Sequence, residues 1–377
     1  MVSIFFIYLI TLLAPFTELL RFPLGPSMYI RIMDLIVLIY VLFGLPRLFK
    51  PKILKRYLAL WIFIGALLLS NLFNLSSLNL IGSAYLFRTL FYLLLLPIML
   101  EEPLLNKISK VIKFLVLFCL YVLLTTSLLQ LALYPNLRNL YYLGYDPHLY
   151  RLFGFFLDPN LIGIVLAWGA IYFLVNLKNK YYMISFAFFT IALLFTYSRI
   201  SWLVFLIGLG YYFWLTKKRL FLLLGLGLLF IISMIFLPKR FGEGTNILRT
   251  NSIVAKQQTW KKGFNVIKKQ PVFGIGFNNV FLYKKSGLTP DNSMHGLDSS
   301  LLTVFVTTGL VGLVTYGYLF LRLFQKSNQW QKIIVLLYFI HALSTNSFFT
   351  PGVFVFFVLF MLVSKIDFPK PTQRKLP

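Results

Sequence analysis

Three arginines stand where an apolar chain has little reason to keep them. Arg88 lies inside the hydrophobic run 80–100, Arg151 opens Arg151-Leu-Phe-Gly-Phe-Phe-Leu-Asp-Pro-Asn160, and Arg199 closes Thr196-Tyr-Ser-Arg199. A guanidinium does not titrate in proteins, and its planar fork matches a phosphate, so the chemistry these residues offer is anion binding and charge stabilisation. Asp34, Asp158 and Asn160 join them at similar depth in their hydrophobic runs. A proton acceptor is supplied by His295, in Asn292-Ser-Met-His-Gly-Leu-Asp-Ser-Ser300, with Asp298 three residues on and within reach to orient the imidazole. His148, in a Tyr-rich loop, is a weaker acid–base candidate, and for His341 a hydrogen-bonded packing role is favoured. The bland alternative is that the charges are neutralising pairs that fix helix packing, Arg31 with Asp34 one turn away for example. No His-Glu-x-x-His and no cluster of His or carboxylate ligands occurs, so neither a metal nor a cofactor is expected. Gly274-Ile-Gly276 follows no strand pattern and carries no nucleotide-binding meaning.

The elements that must position these groups are membrane helices. Of 377 residues 59% are hydrophobic and only 12% charged, against about 25% charged in a soluble domain. Mean hydropathy is +0.83. Hydrophobic stretches fall near 3–20, 28–46, 57–74, 80–100, 111–133, 152–176, 181–196, 199–215, 219–237, 299–321, 332–346 and 350–364, most of them close to the ~20 residues that cross a bilayer core. Pro351 favours a break between the last two over one long helix. This predicts an all-α polytopic membrane protein of about twelve spans with both termini on one side. If that side is the cytoplasm, its short loops carry Arg47, Lys50, Lys52, Lys55, Arg56, Lys107, Lys110, Lys113, Lys178, Lys180, Lys217, Lys218, Arg219, Arg322, Lys326 and Lys332. The short connections on the other side hold only Arg21, Arg31, Arg138, Arg151 and Arg199. That asymmetry follows the positive-inside rule and explains much of the net charge of +26, so no nucleic-acid partner is needed. It also biases every intramembrane charge toward the extracytoplasmic face, where a polar cavity is expected.

The one long hydrophilic segment, 238–298 between the ninth and tenth spans, follows an odd-numbered span and is expected outside the cytoplasm. Its ten Lys and Arg residues are no objection, because long loops escape the charge rule. Within it Ile253, Gln257, Trp260, Phe264 and Ile267 recur at helical spacing among Lys256, Lys261, Lys262, Lys268 and Lys269, with Pro271 as the stop. This predicts an amphipathic helix over about 252–270 that anchors the loop to lipid or caps a site for an anion. The single cysteine, Cys119, is expected to be a small buried apolar residue.

Taken in order, Arg151 to Asn160, Thr196 to Arg199, Trp260 to Phe277 with Gln270-Pro-Val-Phe-Gly-Ile-Gly-Phe277, His295, and Thr307-Thr-Gly-Leu-Val-Gly312 resemble the O-antigen ligase and O-antigen polymerase family of bacterial envelope glycan enzymes. The resemblance spans roughly residues 80–325. It implies a membrane-embedded glycosyltransferase of the GT-C-like type in the bacterial plasma membrane, with its active site on the extracytoplasmic face. It further implies glycans carried on undecaprenyl pyrophosphate as substrates, no metal, and a flippase and chain-length regulator as pathway partners. A polymerase extends the lipid-linked chain by a repeat unit; a ligase moves the finished chain to another acceptor. By the same resemblance Arg199 would hold the donor pyrophosphate and His295 would act as general base, with Arg151, Arg88, Arg249, Lys256, Asp158, Asn160 and Asp298 around the substrate. Two positions depart from the family pattern. Lys256 stands where arginine is common, with Arg249 as the alternative for that contact, and Thr307 replaces an acidic residue before Thr-Gly-Leu. A lipid-linked oligosaccharide flippase or a non-catalytic scaffold would also want many spans. A flippase, however, needs charges reachable from both faces.

Overall fold

The computed structural model describes residues 2–25, 28–75, 80–143, 148–177, 180–216, 220–238, 243–246, 249–280 and 297–367. Of the described residues, 80% are helical, as a chain must be if its backbone groups are to be satisfied within each apolar segment. The helices among the described residues are α1 (Val2–Leu13), α2 (Ile32–Leu48), α3 (Pro51–Arg56), α4 (Leu58–Leu72), α5 (Leu80–Leu100), α6 (Leu105–Leu133), α7 (Pro159–Val175), α8 (Lys180–Phe195), α9 (Arg199–Thr216), α10 (Leu220–Phe236), α11 (Asn251–Ile267), α12 (Ser300–Lys326), α13 (Gln329–Ser344) and α14 (Pro351–Asp367). A helix falls in each hydrophobic stretch. Four of them, α5, α6, α9 and α12, are by themselves long and apolar enough to cross a membrane. The chain is an all-α membrane protein.

Charged groups gather at helix ends. Ser3 and Arg47 bond to Glu102, Arg56 to Glu101, and Lys113 to Asp367. Lys326 donates to the carbonyl of Arg56. The opposite helix ends hold Glu18, Arg31, Arg151, Asp158 and Arg199. Between the two layers lies one continuous apolar core, at whose centre α14 buries every residue from Pro351 to Ser364. Trp168 of α7 packs there against Tyr338, Phe357 and Phe360.

Three local structures differ from the sequence reading. The connection from α1 to α2 forms an antiparallel hairpin, β1 (Arg21–Gly25) with β2 (Met28–Arg31), registering Arg21 opposite Arg31. No strand was expected so close to two hydrophobic runs. The sixth hydrophobic stretch does not begin as a helix at residue 152, because Pro159 at the first helical position and Asp158 as N-cap delay α7. Asp158 is therefore a helix cap rather than a side chain two turns down a span. The helix of the long loop forms where expected, but its inward stripe is Lys256, Thr259, Trp260, Gly263, Val266 and Ile267. Ile253 and Phe264 are exposed, since Gly263 lets α11 approach Leu302 and Val306 of α12 closely and so sets the face.

Two interruptions organise the end of the bundle that carries Arg199. The first separates α13 from α14, as Pro351 implied. Its freed backbone is taken up by Ser300, whose amide and hydroxyl donate to the Thr345 carbonyl while its Oγ accepts from Phe348 N. The Gly352 amide, in the first turn of α14, donates to Glu18. The second lies inside α12 at Gly309, with φ 65° and ψ −159°. There the loop after α11 enters the gap: Leu310 N and Val311 N donate to the carbonyls of Pro271 and Val272, and Ile275 N donates to that of Val306. Ser70 and Asn74, near the end of α4, complete the joint by donating to Thr307 O and Gly274 O. The Gly-x-Gly and Thr-Thr-Gly segments thus exist to fit each other, and a Cβ on Gly309 would stand 2.3 Å from the Val272 carbonyl oxygen.

Gly309 combines a glycine-only conformation with that contact, so Gly309→Ala is expected to cost on the order of 2 kcal/mol or more. Gly210→Ala, with nothing within 4 Å of the new methyl, should be neutral or stabilising, since alanine is the better helix former. Thermal unfolding of the two purified variants in detergent checks the contrast. Equal midpoints would refute the account of the α12 break.

Candidate active site

The site is built on the sharp turn between α8 and α9. Thr196 Oγ1 donates to Leu193 O and accepts from Ser198 N, and Ser198 caps α9 with its Oγ accepting from Ser201 N at 3.4 Å. Tyr197 between them is left with φ 49°, a left-handed conformation costing about 1 kcal/mol or more for a residue with a Cβ. Tyr150 and Leu157 are in the same region, at φ 52° and 54°. All three directly neighbour candidate site residues: Arg151, Asp158 and Ser198–Arg199.

Arg151, 5% exposed, bridges the two segments that make the site: its Nε donates to Thr196 O at 2.9 Å and its Nη2 to Tyr197 O at 3.4 Å. Leu152 N adds a bond to Phe195 O. Arg249 approaches the turn from the long loop, donating through Nη2 to Tyr197 O at 3.0 Å and through Nη1 to Gly244 O at 2.6 Å. Arg199, at the start of α9, donates through Nη1 to the carbonyl of Arg249 at 3.1 Å. The Arg199 guanidinium, placed by the sequence on a short connection, is thus bound to the long loop. Three guanidiniums therefore share one turn, held by backbone carbonyls. Burial, followed by the neighbouring Arg199, shifts the Arg249 pKa below its usual value. That is the signature of cations crowded away from water.

Asn160 and Asp158 support the turn from α7. Asp158 Oδ1 accepts from Asn160 N at 2.7 Å, and Asn160 Oδ1 accepts from Ser198 Oγ at 2.8 Å. The Asn160 carbonyl receives His341 Nε2 at 3.1 Å and Ser201 Oγ at 3.3 Å. His341 is fully buried, in keeping with its packing role, and steadies α7 against α13. Gly163 allows α7 to cross α9 closely, since a Cβ there would stand 2.3 Å from Ser201 Oγ.

The remaining candidates divide. Lys256 on α11 donates to the Ser344 carbonyl and hydroxyl, both at 2.8 Å, at the C-terminal end of α13 where a cation is favoured. Burial lowers its pKa, against which Asp298 and Asp158 pull upward. Asp298 is exposed and accepts from Thr259 Oγ1 at 3.1 Å, so among the described residues its partner is α11. His295 lies outside the described residues. Arg88 is not at this turn: its Nη1 is 3.9 Å from Asp34 and its guanidinium lies over Tyr85. Asp34 also accepts from Tyr92 and from the backbone of Arg31, and the Arg31 side chain turns to Glu18 at 2.7 Å. The expected side-chain pair of Arg31 with Asp34 is thus corrected to Arg31–Glu18 and Arg88–Asp34.

One residue with a clear task was overlooked in the sequence. Gln130, in the apolar end of α6, accepts from Phe153 N and Gly154 N through its carbonyl oxygen and donates through its amide to Tyr134 O and Arg151 O. A glutamine within Leu128-Leu-Gln-Leu-Ala-Leu133 was the signal; an amide at that depth needs partners, and it finds them in the segment that carries Arg151. Among the described residues no group of three metal-binding side chains occurs.

Helices, buried ion pairs and interlocked loops together define a helical membrane protein with a cationic site at one end. Residues 184–317 match the family described as O-antigen ligase, which supports the resemblance to the O-antigen ligase and polymerase family read from the motifs. The match covers the Arg199 turn, α11 and both sides of the Gly309 joint, while Arg88 and the Arg151–Asn160 segment lie before it. Among curated proteins, none matches the chain.

Arg151→Ala would take the Nε donor from the buried Thr196 carbonyl and leave Tyr197 O to Arg249, and is expected to destabilise the protein by about 1–3 kcal/mol. The Arg199 bond to the Arg249 carbonyl is only part-buried where that of Arg151 to Thr196 is buried, so Arg199→Ala should cost less. Melting of the detergent-solubilised variants decides this, and a stable Arg151→Ala protein would count against a positioning role for that arginine.

Proposed function

We propose that the protein is an extracytoplasmic polymerase of undecaprenyl-pyrophosphate-linked repeat units for a surface polysaccharide, in the bacterial plasma membrane. The observation that carries the reading is the convergence of Arg151, Arg199 and Arg249 on one turn within a chain that matches the O-antigen ligase family. A glycosyl donor whose leaving group is a pyrophosphate gains charge on that group as the glycosidic bond breaks, and fixed guanidiniums stabilise it without a metal. In this mechanism Arg199 binds the donor pyrophosphate, Arg249 adds positive potential, and Arg151, Asp158 and Asn160 hold the turn in shape. His295 takes the proton from the acceptor hydroxyl, whose oxygen forms the new bond to the anomeric carbon as the lipid pyrophosphate leaves. Lys256 and Asp298 dock α11 over the site, and Arg88 sits in its own ion-pair chain beside the α13–α14 break. The arrangement fits a GT-C-like enzyme of twelve crossings with both termini in the cytoplasm and segment 238–298 outside. A flippase and a chain-length regulator would be its pathway partners.

A second reading, transfer of the finished glycan to another acceptor, is supported by the match to a family described as O-antigen ligase. The two separate on a gel of surface glycan and lipid-linked intermediates from cells lacking the protein. Single lipid-linked repeat units without a ladder mean polymerase, and a normal ladder left on its carrier means ligase. Complementation by Arg199→Lys should restore less than about a tenth of transfer, because charge without the fork is insufficient, and His295→Ala should restore none. Unchanged glycan in the deletion strain would leave only a scaffold.

A further inference from the structure

His148 is placed with more constraint than a loop histidine needs. Its carbonyl accepts from Leu137 N at 2.8 Å, Leu149 bridges to Asn136, and Tyr150 N donates to Pro135 O, so the backbone from His148 to Tyr150 is pinned to the segment after α6. Gly244, whose carbonyl binds Arg249, packs against the Leu149 carbonyl. His148 Nδ1 stands 3.4 Å from Arg151 Nη1. Arginine offers donors only, so Nδ1 is the acceptor and the ring proton sits on Nε2. That Nε2 is buried and has no hydrogen-bond partner among the described residues. A buried N–H with no acceptor is costly to leave unmade, and this one sits beside a guanidinium of the cationic turn.

We propose that His148 is an anion-binding residue of this site, its neutral imidazole donating Nε2–H to a phosphate oxygen of a polyprenyl pyrophosphate. The inference rests on the reading of the site as a lipid-pyrophosphate enzyme and deepens it by adding a donor that carries no charge. Burial first, and then Arg151 and Arg249, hold the imidazole pKa well below its ordinary value. The ring is thus a poor proton acceptor, and its role is to donate. Charge crowding accounts for the residue type: a further lysine or arginine would repel the guanidiniums already on the turn, whereas a neutral ring adds a directed hydrogen bond without that repulsion. The tautomer is set by Arg151, so the residue that shapes the turn also aims the imidazole.

The test uses the full-length protein in a neutral detergent at pH 7.5, with farnesyl pyrophosphate as the probe in titration calorimetry. His148→Ala should weaken binding roughly tenfold, the size expected for one hydrogen bond to a charged group. His148→Gln, whose amide N–H reaches the Nε2 position, should stay within about threefold of wild type. Spectra of the ¹⁵N-histidine-labelled wild type should show a neutral Nε2–H ring that shifts when the probe is added, a readout that does not depend on how the variants fold. Unaltered affinity in His148→Ala while Arg199→Ala binds weakly would overturn the role of His148 and leave the proposed function standing. Unaltered affinity in both would remove the pyrophosphate reading itself. Displacement of the probe by an equal concentration of phosphatidylglycerol would assign the site to a phospholipid headgroup instead and overturn the proposal.

Discussion

A backbone that leaves helical geometry inside an apolar bundle must have every freed N–H and C=O satisfied by protein, because lipid offers nothing to bond. The end of this bundle that carries the arginines is organised by that requirement. The α13–α14 break is satisfied by Ser300, the break in α12 by the loop 271–275, the stretch before α7 by Gln130, and the α8–α9 turn by Arg151 and Arg249. Each repair comes from a different part of the chain. The irregular segments therefore hold one another, and none can be shifted without exposing polar groups of the next.

This interlocking ties the long loop to the membrane helices. α11 reaches α13 through Lys256 and Ser344, and the segment after it fills the gap at Gly309 and meets Asn74, just beyond α4. Apolar packing adds to these bonds, with Phe73 stacked on Phe273 at 4.0 Å between ring centres and Ile275, Val280, Leu297, Leu302 and Val306 forming a small core of their own. A loop read from sequence as hydrophilic is in this part a structural member of the bundle. Its cationic helix is consequently held at a fixed distance from the Arg199 turn.

The helices were legible because a membrane forces hydrophobicity and helicity to coincide, and the α13–α14 break was legible because Pro351 marks it. The Arg199 turn and the α11 position could also be read, whereas the two glycine-containing segments were noted only as motifs, without the joint they form at Gly309. Pairing was not legible. Arg31 lies three residues from Asp34 in sequence yet its side chain chooses Glu18, because the β1–β2 hairpin folds the end of α1 back beside it. The side of α11 that meets α12 was not legible for a related reason: the hydrophobic stripe contains Trp260 and Ile267, which turn inward, but the smallest residue, Gly263, decides which side can lie close to α12. Asp158 was placed too deep because an apolar run does not reveal where its helix begins, although Asp before Pro is the usual cap signal. The left-handed conformations of Tyr150, Leu157 and Tyr197 had no sequence signal at all, since none is glycine or asparagine.

Those strained turns bear on why the arginines of the site differ from the others. Arg31 and Arg88 sit in a chain of alternating charge with Glu18 and Asp34, where each carboxylate neutralises the guanidinium it orients. Arg151 and Arg249 are oriented instead by the carbonyls of Thr196, Tyr197 and Gly244, and Arg199 by that of Arg249. A carbonyl is a dipole: it fixes direction and satisfies an N–H, but it cancels none of the charge. At an effective dielectric constant near 20, two unit charges 4 Å apart interact by about 4 kcal/mol, so whether a cation is held by a carboxylate or a carbonyl decides how much positive potential is left. The turn adopts unfavourable backbone angles in order to aim carbonyls at guanidiniums. What that secures is a set of guanidiniums held at fixed positions around one turn, the preorganisation on which electrostatic stabilisation of an anion draws.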